Sequence, residues 1–230
     1  VTTVTVQQLP TPGSGLEPAE RELRAPARGE VVVRVEACGV CHSDVLSVHL
    51  AASYPVVPGH EIAGVVDSVG EGVVAWAPGD RVGVGWYGGI DRVCPSCRAG
   101  DFIDCTNLQV PGLAYDGGYA ESVIAPEEAL AAIPDALTAV EAAPLMCAGV
   151  TTFNGLRSSP ARAGDLVAVL GIGGLGHLGV QFAHRMGFET VAIARGPAKA
   201  APAKQLGPIT TSTATPPTWP PLSKRSAVPG

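Results

Sequence analysis

A β-branched apolar run bounded by charges, Glu30-Val31-Val32-Val33-Arg34-Val35-Glu36, follows the turn residues Arg28-Gly29 and predicts a strand. The residues before it, 1–30, are polar and proline-punctuated and suggest no regular element. Ile62 to Gly70 predicts a second strand, with Gly64 placed for a bulge or a close backbone approach. Gly79 to Gly85 reads as a turn and a third strand, and Gly117 to Val123 returns to strand. Short strands separated by glycine and proline turns predict a barrel-like β domain over about the first 130 residues.

The pattern changes at Thr138. Val140-Glu141-Ala142-Ala143 and Met146-Cys147 read as helix, with Thr138 as N-cap and Glu141 at the third helical position. Pro144 should end or kink that helix. Leu166-Val167-Ala168-Val169-Leu170 is continuously apolar, as a buried parallel strand is. Gly171-Ile172-Gly173-Gly174-Leu175-Gly176 follows at once, then an amphipathic helix from His177 to Met186, then a strand over Thr190–Ala194. That is one βαβ unit. The expected fold is mixed, a β domain over 1–150 and the first part of a parallel α/β sheet over 151–207.

From Pro208 to Gly230 the chain holds six prolines, no acidic residue and no strand or helix period, so an irregular tail is expected. Codons can be chosen for this stretch so that a frame starting two bases later encodes a strand-like and then a helix-like string. A shifted reading frame is therefore one expectation for the tail, which the nucleotide sequence of the gene tests; the alternative is a natural disordered proline-rich tail. A sheet ending after its second strand would expose edge groups and an apolar face.

Composition narrows the function classes. With 46% hydrophobic and 16% charged residues the chain is core-forming, and a net charge of −6 without a basic cluster argues against a nucleic-acid partner. No charged-then-apolar leader pattern stands at the N-terminus, and the apolar stretch Leu166–Val180 is interrupted by glycines and carries His177, so neither export nor a membrane span is expected. A cytoplasmic setting follows from that reading. There the six cysteines point to metal binding or catalysis before disulfides.

Cys41, His60 and Cys147 offer two thiolates and an imidazole, a three-ligand zinc set with one position left open, as catalytic zinc has. Such a zinc would face a nicotinamide bound across the domain junction, polarise an alcohol or carbonyl oxygen and lower the pKa of a bound hydroxyl, with Ser43 placed to receive the proton. Asp44 and Glu61 adjoin the ligands and suit a supporting role, Asp44 by orienting His60. The plainer alternative is a set of unrelated buried thiols and a core histidine. Cys38 reads as a small buried strand-end residue. Cys94, Cys97 and Cys105 form a knuckle-like loop, with Asp91 the candidate fourth zinc ligand; the alternative is a three-cysteine site with weak metal or none. In the glycine turn, Gly171 permits the tight bend, Gly173 lets a pyrophosphate approach the backbone, and Gly176 packs helix on strand. The helix N-terminus beyond offers N–H groups to phosphate. No acidic residue ends the following strand; Arg195 stands there and suits the 2′-phosphate of NADP, although NAD with a solvated Arg195 stays open.

Over about residues 20–207 the sequence resembles the zinc-dependent medium-chain alcohol dehydrogenases. The matching segments are Val35 to Asp44, Pro58-Gly59-His60-Glu61, Cys94-Pro95-Ser96-Cys97, Ala143 to Thr151 and the glycine turn. The resemblance implies a GroES-like β-barrel domain joined to a Rossmann domain, and hydride transfer between a primary alcohol or aldehyde and NAD or NADP. It implies Cys41, His60 and Cys147 as catalytic zinc ligands, with Glu61 an alternate or supporting group and Ser43 in the proton relay. It also implies His42 near the cofactor phosphates, Thr151 and Gly174 in the cofactor site and Trp86 as a wall of the alcohol pocket. Members often have a fourth cysteine where this chain has Asp91, and a relaying histidine where it has Leu46. Full-length members are expected to be homo-oligomers and commonly run on for over a hundred residues. The alternative is a truncated, non-catalytic zinc-binding remnant. A zinc-independent quinone reductase of the same fold is disfavoured by the three ligands together.

Overall fold

The computed structural model describes residues 2–207 and 210–214. The chain divides into two compact units, Val1–Val150 and Thr151–Gly230.

The first unit holds β1 (Thr2–Gln8), β2 (Glu17–Leu23), β3 (Glu30–Cys38), β4 (Ile62–Val69), β5 (Arg81–Val84), β6 (Ser122–Pro126) and β7 (Leu130–Ala132). Its short helices are α1 (Ser47–Leu50), α2 (Pro95–Arg98) and α3 (Ala139–Ala142). Five strands form an antiparallel sheet in the order β6-β3-β4-β5-β7, and β1 pairs with β2 as a separate hairpin. The expected barrel is therefore corrected: among the described residues the sheet is open, because its outer strands β6 and β7 do not pair with each other. Both are short, and β6 ends at Pro126, which has no N–H to extend a ladder.

The hairpin falls where the sequence suggested no element. Only Val4 and Val6 of β1 are buried, whereas β2 is largely solvated, so the pair carries little apolar signal. The main core gathers Val31, Val33, Ile62, Val66, Val82, Val84 and Val123 from the sheet. Each fully buried valine is worth about 1.5–3 kcal/mol relative to exposure. Gly64 sits where β3 and β4 come close: a Cβ there would land on the Arg34 carbonyl oxygen.

Thr138 caps α3 as its sequence suggests. Thr138 Oγ1 accepts from Glu141 N–H at 3.3 Å, and the Glu141 carboxylate accepts in return from Thr138 N–H at 2.9 Å. The chain then tightens into a 3-10 turn over Ala143–Met146 that carries Pro144 near its start. Thr138→Ala removes one half of this box and is expected to cost about 1 kcal/mol. A urea titration should show a lower midpoint with an unchanged slope.

α4 (Ala148–Arg157) leads into the second unit, which contains β8 (Leu166–Leu170), α5 (Gly174–Arg185), β9 (Glu189–Arg195), α6 (Ala200–Gln205) and β10 (Thr210–Ala214). The three strands form a parallel sheet in the order β10-β9-β8. Two expectations change here. β8 is not buried on both faces: Val169 packs against Ile172 and Val180, but Leu166 is 68% and Leu170 79% exposed at this outer strand. Within the supposedly irregular tail, residues 210–214 pair with Val191–Arg195 as a third strand. The rest of that tail, 208–209 and 215–230, lies outside the described residues.

Candidate metal centres and the glycine turn

β3 delivers the chain to Gly39, whose N–H donates to the Glu61 carbonyl at 2.8 Å. A Cβ at Gly39 would land on the Glu61 carboxylate, so only glycine lets these segments meet. Cys41 then caps a 3-10 turn over His42–Leu46. Its Sγ accepts from Ser43 N–H at 3.4 Å, and Asp44 Oδ2 accepts from Cys41 N–H at 2.9 Å. This is a capping box with sulfur in the place of a hydroxyl.

His60 follows Pro58 and the left-handed Gly59 (φ 102°) and is 2% exposed. Its Nδ1 lies 2.8 Å from Asp44 Oδ1. Its Nε2 is buried without a hydrogen-bond partner. Trp86 stands edge-on to the imidazole, with ring centroids 4.9 Å apart. Cys147 closes the group from the end of the 3-10 turn. That turn can lie on β5 because Gly83 and Gly85 have no side chains: a Cβ at either would land on Met146.

Ligand atoms of Cys41, His60, Glu61 and Cys147 all lie within 4.8 Å of one another. The two sulfurs are 4.0 Å apart. Two thiolates about 2.3 Å from a tetrahedral zinc would stand roughly 3.8 Å apart, so the set fits that ion. The orphaned His60 Nε2 fits it too, since a buried polar atom without a partner is costly.

Burial and mutual charge act on every member of this set. Burial works against a charge on His60, but Asp44 and the two thiols outweigh it and raise the imidazole to about 10. Burial also opposes a Cys41 thiolate; the Ser43 donors and His60 overcome this and lower its pKa. His60 pulls Cys147 down, yet burial and the neighbouring Cys41 charge push it up on balance. Glu61 is raised by burial. Two thiols that resist ionising together, beside a buried carboxylate, are relieved by a divalent ion.

The second cluster lies on one loop. Cys94 caps α2 and its Sγ accepts from Cys97 N–H at 3.5 Å, while Asp91 N–H donates to Cys105 Sγ at 3.5 Å. Ligand atoms of Asp91, Cys94, Cys97 and Cys105 again fall within 4.8 Å. Asp91 Oδ1 accepts from the N–H groups of Val93 (2.9 Å) and Cys94 (3.0 Å), and Oδ2 from Asn107 (2.7 Å). These donors, first the backbone ones, hold its carboxyl well below the usual range. A carboxylate has about four acceptor positions, so one remains for a metal. The Cys97 thiol is pushed up to about 12 by burial and by Cys94 and Cys105.

In the second unit Gly171 takes φ 88° and its N–H donates to the Ile193 carbonyl at 2.8 Å. A Cβ at Gly176 would land on the Gly171 carbonyl oxygen, so this glycine closes the turn on itself; the helix-to-strand approach falls one turn later, at Gly179 against Val169. Gly173 and Gly174 face open space. A cavity of about 450 Å³ is lined by Gly171, Gly173, Ala194, Arg195 and Lys199. Lys199 carries no motif and was not legible in the sequence. His42 is exposed on its 3-10 turn, and Thr151 is exposed on α4. Among the described residues no helix is long and apolar enough to cross a membrane.

Two cysteine-centred sets that could hold metal lie on loops and short helices beside the antiparallel sheet, and a glycine turn follows a strand of the parallel one. Residues 27–135 match the alcohol dehydrogenase GroES-like domain family. Alcohol dehydrogenase patD of Penicillium expansum is 47% identical over 197 residues, which cover 85% of this chain and 58% of that protein. A cobalt- and zinc-bound thermostable alcohol dehydrogenase from Pyrobaculum aerophilum superposes with a TM-score of 0.83 at 31% identity, covering 92% of this chain and 66% of that one. CAD from Helicobacter pylori in complex with NADP(H) gives a TM-score of 0.83 at 28% identity, covering 92% and 64%. The chain belongs to the zinc-dependent medium-chain alcohol dehydrogenase family. It spans between 49% and 59% of the length of the curated relatives it matches.

Proposed function

We propose that these 230 residues act as a zinc-binding, non-catalytic portion of an alcohol dehydrogenase-type fold that holds the metal half of the reaction. The observation that carries it is the buried, unpartnered His60 Nε2 beside Cys41 and Cys147. Zinc bound there would supply Lewis-acid polarisation of an alcohol or carbonyl oxygen. Cys41, His60 and Cys147 would hold it, and the Asp91, Cys94, Cys97 and Cys105 set would hold a second, structural ion. With zinc bound, Asp44, whose Oδ1 stands 2.8 Å from His60 Nδ1, would hold the ring proton on that side and leave Nε2 to ligate. Glu61 is a supporting carboxylate and Trp86 an apolar wall. A dinucleotide crevice forms between two halves of a doubly wound sheet, and the three described parallel strands β10-β9-β8 supply strands of one half.

A second reading is catalysis: oxidation of a primary alcohol, or reduction of an aldehyde, with NAD or NADP. The cavity at Gly171 and Gly173, with Arg195 and Lys199 at its rim, favours it and favours the phosphorylated cofactor. In this reading Gly174 and Gly176 complete the phosphate turn, His42 and Thr151 contact the cofactor, and the Ser43 hydroxyl accepts the alcohol proton.

Titrating the zinc-loaded chain with NADPH and NADH separates them. The expected result is two zinc equivalents per chain and no saturable cofactor fluorescence change. Saturable binding with turnover of an alcohol would replace the first reading by the second.

A further inference from the structure

Tyr119 is the least anticipated residue near the first metal set. Its Oη donates to Asp44 Oδ2 at 2.6 Å. The same carboxylate accepts from Cys41 N–H through Oδ2 and faces His60 Nδ1 through Oδ1. One side chain thus links the phenol to the backbone of one candidate ligand and the ring of another.

The phenol is delivered by a second set of contacts. Gly117 N–H donates to the Val57 carbonyl at 2.6 Å, Gly118 N–H to Gly59 at 2.9 Å and Tyr119 N–H to Pro58 at 3.0 Å. The segment carrying Tyr119 is therefore laced to the residues just before His60. A Cβ at Gly117 would land on the Gly59 carbonyl oxygen, and one at Gly59 would stand 2.8 Å from the Tyr119 ring. Glycine at both positions brings the backbones close enough for the ring to lie against Gly59. Tyr119 also packs with Val4, Val6 and Val57, so its ring has little freedom.

We propose that Tyr119 is a positioning residue for the Cys41–His60–Cys147 metal site: its hydroxyl fixes the Asp44 carboxylate so that Oδ1 meets His60 Nδ1 and Nε2 is presented to the ion. This rests on the metal reading of that site. A carboxylate held by one backbone N–H alone can rotate about its side-chain torsions. Two donors on Oδ2 leave Oδ1 a single direction. Loss of a partner one step behind a ligand typically lowers metal affinity 10–100-fold.

Tyr119→Phe keeps the ring and removes the donor. Zinc competition against a chromophoric chelator reads both sites of the 230-residue chain. The expected result is about a tenfold or greater loss at the Cys41 site, no change at the Cys97 site, and a shifted visible spectrum of the cobalt(II)-substituted protein. Retained amide protection over β3 and β4, with an unchanged urea midpoint, reports that the variant is folded. In an Asp44→Asn background the same substitution should add little, because the acceptor that it serves is already altered. Unchanged affinity and spectrum in Tyr119→Phe would overturn the proposal and leave the metal site standing. If Cys41→Ser left the parent's zinc content unchanged, the metal reading and the proposal would fall together.

Discussion

Cys97→Ser is expected to strip the metal from its loop and to unfold residues 91–108 without unfolding the sheet. The cluster there consists of Cys94, Cys97 and Cys105, supported only by Ile90 and Leu108. Its larger apolar side chains, Val93, Phe102 and Ile103, are each at least half exposed. Little hydrophobic burial is therefore available to hold the loop, and under the proposed zinc reading the stabilisation would come from ligation. Structural zinc contributes on the order of 10–16 kcal/mol in small zinc-binding peptides. Serine oxygen is a poor substitute for thiolate, and the remaining thiols would sit buried with no cation between them. Zinc analysis should fall from two equivalents to one, and amide exchange should rise over 91–108 while β3 and β4 stay protected. A variant retaining both ions and its protection would show that the loop stands on its own packing.

Gly64→Ala is the second large effect. The new methyl would land on the Arg34 carbonyl oxygen and come within 3.0 Å of Val33 Cγ1. A backbone oxygen in a paired strand cannot rotate aside as a long side chain would. β4 is also held from both sides, by β3 and by β5, and its Ile62 and Val66 are locked in the core. Relief requires the two strands to separate locally, and overpacking of this kind typically costs about 1–3 kcal/mol, with a clash on backbone oxygen at the upper end, about 3 kcal/mol. At about 2–4 °C per kcal/mol for a chain of this size, the melting temperature should drop by roughly 6–12 °C. A change of about a degree would contradict the close approach of β3 and β4.

The residues that bring β4 close and those that gather around His60 were legible in the sequence for a shared reason. Glycine, cysteine, histidine and capping residues have few physical substitutes, so their spacing carries geometry. Thr138 with Glu141, the cysteines from Cys94 to Cys105 and the turn at Gly171 each announce a local structure. Partnerships formed across the fold carry no such signature. Nothing in Tyr119 says that its hydroxyl reaches Asp44, and nothing in Asn107 says that it holds Asp91. Hydropathy misled where solvent covers one face. β2 is too polar to stand out, whereas the exposed Leu166 and Leu170 lie on the outer strand of the described parallel sheet, where an apolar face is expected. Barrel closure depends on whether β6 and β7 meet, and the strand pattern is identical whether they do or not.

The turn at Cys41 has an evolutionary consequence. One sulfur atom both caps the 3-10 turn and lies among the metal-ligand atoms. Serine is an even commoner cap, so a single base change from a cysteine codon can exchange Sγ for Oγ with the turn still satisfied. The soft ligand would vanish while the backbone kept its shape. Drift can therefore reach a version of this fold that has lost the Cys41-site ion in one step, without first crossing a valley of misfolded intermediates.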